Sequence, residues 1–156
     1  MQVLTIRAAT LTDLPDLTRL WHEKMVLQQQ FDRRFSLRPD AKTLWTQAVS
    51  EWLSDSNCRI EIAHHNDTLT GYAIAWIRPS PPGVFPTHMG FVEEIVVDPH
   101  CHQGGVGRQL LDALKVWFFE RKIQNVVAYV PRVGAVEQAF WRAQGAVEWV
   151  DLMWIK

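Results

Sequence analysis

Apolar and polar positions change period several times along the chain, and each change marks an element. Val3 to Ala8 reads as a first strand. Thr10, Thr12 and Asp13 then supply helix-capping residues, and Pro15 falls in a first turn, where its missing N–H costs little. Leu14, Leu17, Trp21, Met25 and Gln28 keep helical spacing, which predicts a helix to about Gln30. From Phe31 to Arg38 the period breaks and aromatic residues mix with basic ones. Pro39 and Asp40 restart a helix that carries Leu44, Trp45, Ala48, Trp52 and Leu53. Asn57 to Ala63 and Leu69 to Ile77 read as two strands, with Asn66–Asp67 as a hairpin turn pair. Four prolines between Pro79 and Pro86 make the next loop stiff and extended.

Phe91 to Val97 holds five apolar residues, three of them valine, which favours a buried strand that Pro99 stops. Gly104, Gly105 and Gly107 follow. From Val106, positions 106, 110, 114, 117 and 118 are apolar at helical spacing, which predicts a helix to about Lys122. Asn125 to Val130 reads as a buried strand stopped by Pro131, and a helix from about Gly134 to Gln144 has Gly145 as its C-terminal cap. Ala146 to Ile155 reads as a last strand or hairpin arm. A strand on each side of the glycine-led helix implies a crossover with at least one parallel pair, while hairpins elsewhere make the sheet mixed. The expected fold class is α/β (α+β). It has a mixed, mostly antiparallel central sheet of about six to seven strands flanked by about four helices, in one domain over residues 1–156.

Between a β-branched strand and an amphipathic helix, a glycine cluster lets the backbone approach a ligand with no Cβ in the way. The unpaired N–H groups of the first helical turn favour an anion there. A tight turn with glycines for packing alone is the other reading. The run His102-Gln103-Gly104-Gly105-Val106-Gly107 resembles the acyl-CoA-binding motif Gln/Arg-x-x-Gly-x-Gly/Ala of the GCN5-related N-acetyltransferases, the GNAT superfamily. Both small positions match, at Gly105 and Gly107, and His102 stands where glutamine or arginine is usual. The resemblance extends more weakly over almost the entire chain, and the acidic strand is similar to that of polyamine and glucosamine-phosphate acetyltransferases. It implies acetyl-CoA as co-substrate. The pyrophosphate would lie against His102, Gln103, Gly104, Gly105, Val106, Gly107 and Arg108, and the pantetheine and acetyl group along Ile95, Val96 and Val97.

Composition narrows the alternatives. Apolar residues make up 47% and charged residues 21%, which argues against disorder. A net charge of −1 gives no electrostatic footprint for nucleic acid. No apolar stretch is long enough to span a bilayer, and no signal peptide is visible. Two cysteines, Cys58 and Cys101, make no disulfide framework and suit a reducing cytoplasm. Neither Gly-Lys-Ser/Thr nor Gly-x-Gly-x-x-Gly is present, which speaks against a nucleotide-phosphate enzyme. His100, Cys101 and His102 on one loop lack a second ligand pair, so no metal is expected.

Two adjacent carboxylates, Glu93 and Glu94, stand in the acidic strand. Strand alternation would send them to opposite faces. Acetylation of an amine needs a base to take the ammonium proton, and a carboxylate in an apolar strand is a candidate. The resemblance favours Glu93 as base and Glu94 as a substrate or positioning group. A pair of structural glutamates bridged to Arg7 or Arg78 is the alternative. Many members carry a tyrosine in the last helix that protonates the departing thiolate, and Trp141 stands at that position, where it would serve as a hydrophobic wall beside the pantetheine. Tyr129 is a possible substitute acid. Phe31, Arg33, Arg34, Phe35 and Arg38 are candidates for an acceptor pocket. Trp45, Trp52, Trp149 and Trp154 exceed what one core needs and suggest a homodimer contact. The expected activity is transfer of acetyl from acetyl-CoA to a primary amine, of a small molecule or a peptide or protein, by direct attack. The rival is a catalytically silent CoA-binding sensor.

Overall fold

A two-residue turn at Asn66 and Asp67, with φ of 49° and 63°, closes the central hairpin. Positive φ at both residues matches the right-handed twist of the strands it joins. In the computed structural model, which describes residues 3–101 and 104–156, this hairpin pairs β2 (Cys58–His65) with β3 (Thr68–Pro79). β1 (Leu4–Ala8) adds antiparallel to β2, and β4 (His88–Val97) antiparallel to β3. β5 (Val126–Ala128) lies parallel to β4, reached through the helical crossover that the alternating periods require. The order is β1-β2-β3-β4-β5.

Helices cover both faces. α1 (Leu14–Phe31) and α2 (Ala41–Trp52) pack on one, where Leu17, Leu20, Val49, Ile62, Tyr72 and Ile74 form a buried cluster. α3 (Val106–Glu120) packs on the other, laying Leu110, Leu114 and Phe118 over Ala73, Ala75 and Val92. β3 is therefore covered on both sides, which is why its sequence is an almost unbroken apolar run. Close approach on the α3 side depends on small residues. A Cβ added to Gly90 would stand 2.5 Å from the Phe118 ring. α4 (Ala135–Ala143) follows β5 and ends at Gly145, whose φ of +84° is the left-handed C-terminal cap.

The sheet has five strands among the described residues, not six to seven. The difference lies in Ala146–Ile155, which is exposed and forms no strand. Its side chains reach back to the surface: Arg142 donates to Glu148 at 2.8 Å, Arg132 pairs with Asp151, and Trp154 meets Phe35 edge-on. Apolar content favours a strand, but a strand also needs a ladder, and β5 offers only three residues.

Asp13 joins the first strand to the first helix. It is buried, accepts a bidentate pair from Arg7 at 2.8 and 2.9 Å, and accepts from the Thr10 N–H at 2.8 Å. The Arg7 bonds, with help from Thr10, lower its pKa from 3.8 to about 2. A depressed folded-state pKa adds stability above the unfolded value, and that stability disappears as pH falls through the folded one. Asp13→Asn should therefore cost about 2 kcal/mol at neutral pH and progressively less between pH 4 and pH 2, read from urea midpoints of both proteins. Gly90→Ala should cost about 1–3 kcal/mol by forcing Phe118 aside, and Phe118→Leu in the same chain should return part of it.

Candidate active site

β4 does not keep step with β3. Ile74 pairs with Glu94 but Ala75 pairs with Val92, so Glu93 is an extra residue, a β-bulge. The bulge overturns the alternation expected for the two carboxylates. Glu94 accepts a 2.8 Å bond from the Tyr72 hydroxyl on the α1–α2 face and is ion-paired with Lys24 of α1. Glu93 accepts from Arg78 at 3.1 Å, and that guanidinium lies over the rings of Trp76 and Phe91 on the same face. Both carboxylates thus face one way. Their settings differ: Glu93 and Arg78 are exposed, whereas Glu94 is mostly covered. The covered carboxylate is thus Glu94, not the candidate base Glu93. Tyr72 is fully buried, and burial first, then the Glu94 charge, push its phenol well above the usual range, so it remains a donor.

Beyond the bulge β4 loses its other neighbour. β5 pairs only with Gly90, Phe91 and Val92, and the Tyr129 N–H donates to the Val92 carbonyl at 3.3 Å as the strands part. The Asp98 N–H donates to Thr70 of β3 at 2.8 Å. Period-two alternation then turns the Val96 N–H toward β3 and those of Ile95 and Val97 toward the open edge. The Val96 side chain is buried against the α1–α2 face. Ile95 and Val97 are the residues whose donors face the opening.

The glycine turn stands beside that edge. Gly105 is the N-cap of α3 with φ of +82°, a conformation that favours glycine, and nothing lies within 4 Å of a Cβ built on Gly104 or Gly105. The first bond of the helix runs from the Gln109 N–H to the Gly105 carbonyl at 3.0 Å, which leaves the N–H groups of Val106, Gly107 and Arg108 without helical acceptors. Those donors and the helix dipole fit an anion such as a pyrophosphate. Phe140 of α4 closes over Gly107, whose Cβ would be 3.2 Å from its ring. Arg108 is 73% exposed and pairs loosely with Asp112 at 3.9 Å. His102 and Gln103 lie outside the described residues.

The remaining candidates scatter. Trp141 packs edge-to-face on Phe140, half-buried beside the α3 core. Tyr129 stacks on Phe91 where the strands part. Among the acceptor-pocket candidates, Arg34 is bonded to Asp32 and Arg38 to Asp40, while Phe31, the last residue of α1, is 83% exposed. Two concavities, one along α2 at Lys42 and Ser50 and one between His88 and Arg121, lie away from the open edge. No group of three or more metal-ligating side chains occurs among the described residues. Lys24 and Tyr72 were missed from sequence. Lys24 did leave a signal, since a cation three and four positions after Trp21 and Leu20 falls on the inner stripe of α1.

A bulged strand parting from its parallel neighbour beside a glycine-capped helix is matched by sequence: the profile of the acetyltransferase (GNAT) family covers residues 19–146. The chain belongs to that family. Its class is that of an acetyl-CoA-dependent N-acetyltransferase. Among solved structures, the GNAT fold here is similar to aminoglycoside N-acetyltransferase AAC(6')-Iy in complex with CoA, at 22% identity and TM-score 0.76 over 100% of this chain and 95% of that one. It is also similar to a tetramutant of the BH1408 protein from Bacillus halodurans, at 17% identity and TM-score 0.82 over 97% and 99%. A third is ribosomal-protein-alanine N-acetyltransferase from Brucella melitensis biovar Abortus 2308, at 19% identity and TM-score 0.70 over 99% of each chain. No curated protein matches the chain in sequence.

Replacing Gly105 by alanine should strain the α3 cap by about 1–2 kcal/mol, seen as a lower urea midpoint, with the secondary structure seen by circular dichroism unchanged.

Proposed function

We propose that this protein moves an acetyl group from acetyl-CoA to a primary amine of a small molecule, peptide or protein by direct attack in a ternary complex. The observation that carries the reading is the open edge of β4. Two backbone N–H groups point into a gap that ends at a helix N-terminus and is flanked by two carboxylates on one face. Two of the three similar structures are named as N-acetyltransferases of an aminoglycoside and of a ribosomal-protein alanine, which supports an amine acceptor.

Each residue has a role set by its place. The N–H groups of Val106, Gly107 and Arg108 hold the pyrophosphate, with Gly104 and Gly105 keeping the approach free of side chains. Val97 orients the pantetheine by its backbone, and Trp141 with Phe140 forms an apolar wall. The Ile95 N–H donates to the carbonyl oxygen as charge develops on it. Glu94, fixed by Tyr72, seats the acceptor ammonium. Glu93, exposed at the bulge, takes the ammonium proton through water. A thiolate whose conjugate acid has a pKa of about 8.5 leaves without a dedicated acid, which accommodates tryptophan at position 141.

Trp141 also favours the second reading, a CoA-binding sensor without turnover. We further propose a cytoplasmic homodimer. Cys58 is buried, its thiol pushed up to about 12 by burial and then by the Asp55 and Glu93 charges, and Cys101 is also free, as suits a reducing compartment. Trp45 and Trp52 are used inside, stacked on Trp21 and set edge-on to Trp76, so Trp149 and Trp154 are the ones left for a second copy.

Acetyl-CoA at a hundred times its dissociation constant should stabilise the protein by about 2.7 kcal/mol, raising the thermal midpoint by several degrees, while ATP and NAD should not. Gly107→Glu should remove the shift. Thiol release with an amine panel separates the readings, since a sensor binds and does not turn over. Among active variants, Glu93→Gln should lower kcat by about 10²–10⁴-fold with the acceptor KM spared. Glu94→Gln should chiefly raise the acceptor KM.

A further inference from the structure

Glu94 already has an amine. The Tyr72 hydroxyl donates to Oε1 at 2.8 Å, and the Lys24 ammonium pairs with Oε2. Of the five lysines in the chain, Lys24 alone is paired with a β4 carboxylate among the described residues. Its stem rises from the stripe of α1 that carries the buried Leu17 and Leu20, and its side chain is 33% exposed, so it reaches the carboxylate from the core side and still touches solvent. Glu94 is the neighbour of Ile95, whose N–H faces the open edge, and consecutive Cα atoms are about 3.8 Å apart. A primary amine on a flexible four-carbon stem is therefore held on the side chain of the residue that precedes Ile95.

We propose that Lys24 is itself an acetyl acceptor, modified in cis by the protein's own transfer site. The proposal rests on the acetyl-transfer reading. The ammonium on Glu94 gives one proton through water to Glu93 and on to solvent. The neutral Nζ attacks the thioester carbonyl carbon, the C–N bond forms, and negative charge gathers on the oxygen facing the Ile95 N–H. The C–S bond then breaks, sulfur leaves as thiolate, and the thiolate takes the second proton from nitrogen. The products are Nζ-acetyl-lysine, CoA thiol and one released proton, with no change of oxidation state. Holding the amine in place makes the step intramolecular, which is worth a high effective concentration. Acetylated Lys24 has no charge, so Glu94 is left on Tyr72 alone and open to an outside ammonium. The unmodified lysine acts as a plug.

The test needs no knowledge of the natural acceptor. The full chain is incubated with acetyl-CoA and no amine, then read by intact mass and peptide mapping. One acetyl should appear at Lys24, at a rate independent of protein concentration. It should form at least about tenfold faster than at Lys42, Lys115, Lys122 or Lys156, which report uncatalysed acetylation. Glu93→Gln should slow labelling at Lys24 and leave the other lysines unaffected, and Lys24→Arg should abolish the fast label. Labelling at Lys24 no faster than elsewhere overturns the proposal. In parallel, wild-type protein is tested for an acetyl-CoA thermal shift and for thiol release with putrescine and with a peptide bearing a free N-terminus. A slow Lys24 beside acetyl-CoA binding and amine turnover removes self-acetylation and leaves the transferase reading standing. Absence of acetyl-CoA binding removes both.

Discussion

β4 carries one residue more than β3 can pair, and the geometry of the opening follows from that mismatch. A regular strand would divide Glu93 and Glu94 between two faces, one toward α3 and one toward α1. With Glu93 inserted, both turn to the α1–α2 side, and the backbone parity after it also changes. Before the bulge the Gly90 N–H reaches Asn125 on the β5 side; after it the Asp98 N–H reaches Thr70 on the β3 side. The same inserted residue that gathers the carboxylates therefore aims the Ile95 and Val97 donors into the gap. Side-chain chemistry and backbone chemistry are set by one irregularity.

The gap survives because the core is built without it. β3 is sandwiched between α3 and the α1–α2 pair, so cohesion is concentrated on strands already closed on both edges. β5 contributes three residues, none of them among the buried members of either cluster. Gly90 and Phe118 fasten the crossover helix at one end, and the glycine-capped start of α3 is left facing the opening at the other.

Much of this was legible in the sequence. The acidic strand, the glycine turn, the crossover and the helices could be read because each carries a local period or a local breaker. Gly145 and the Asn66–Asp67 turn were legible for the same reason: each answers a demand of its own backbone. The final segment misled, since Val147, Trp149 and Ile155 have strand propensity but pairing is a property of two segments. The bulge was hidden because counting residues along β4 says nothing of how many β3 supplies opposite them. Lys24 and Tyr72 were hidden differently. An inward cation on α1 demands a carboxylate somewhere, yet only the fold shows that the carboxylate is Glu94.

Trp21 and Trp45 stack with ring centroids 4.9 Å apart and planes 10° from parallel, and Trp45 in turn leans on Tyr72 at 6.1 Å. An indole pair in that arrangement is rigid and chiral, and it touches the phenol that holds Glu94. The protein therefore contains its own optical reporter. A change of charge at the carboxylate should alter the near-ultraviolet circular dichroism, with Trp45→Phe separating this pair from the other six tryptophans.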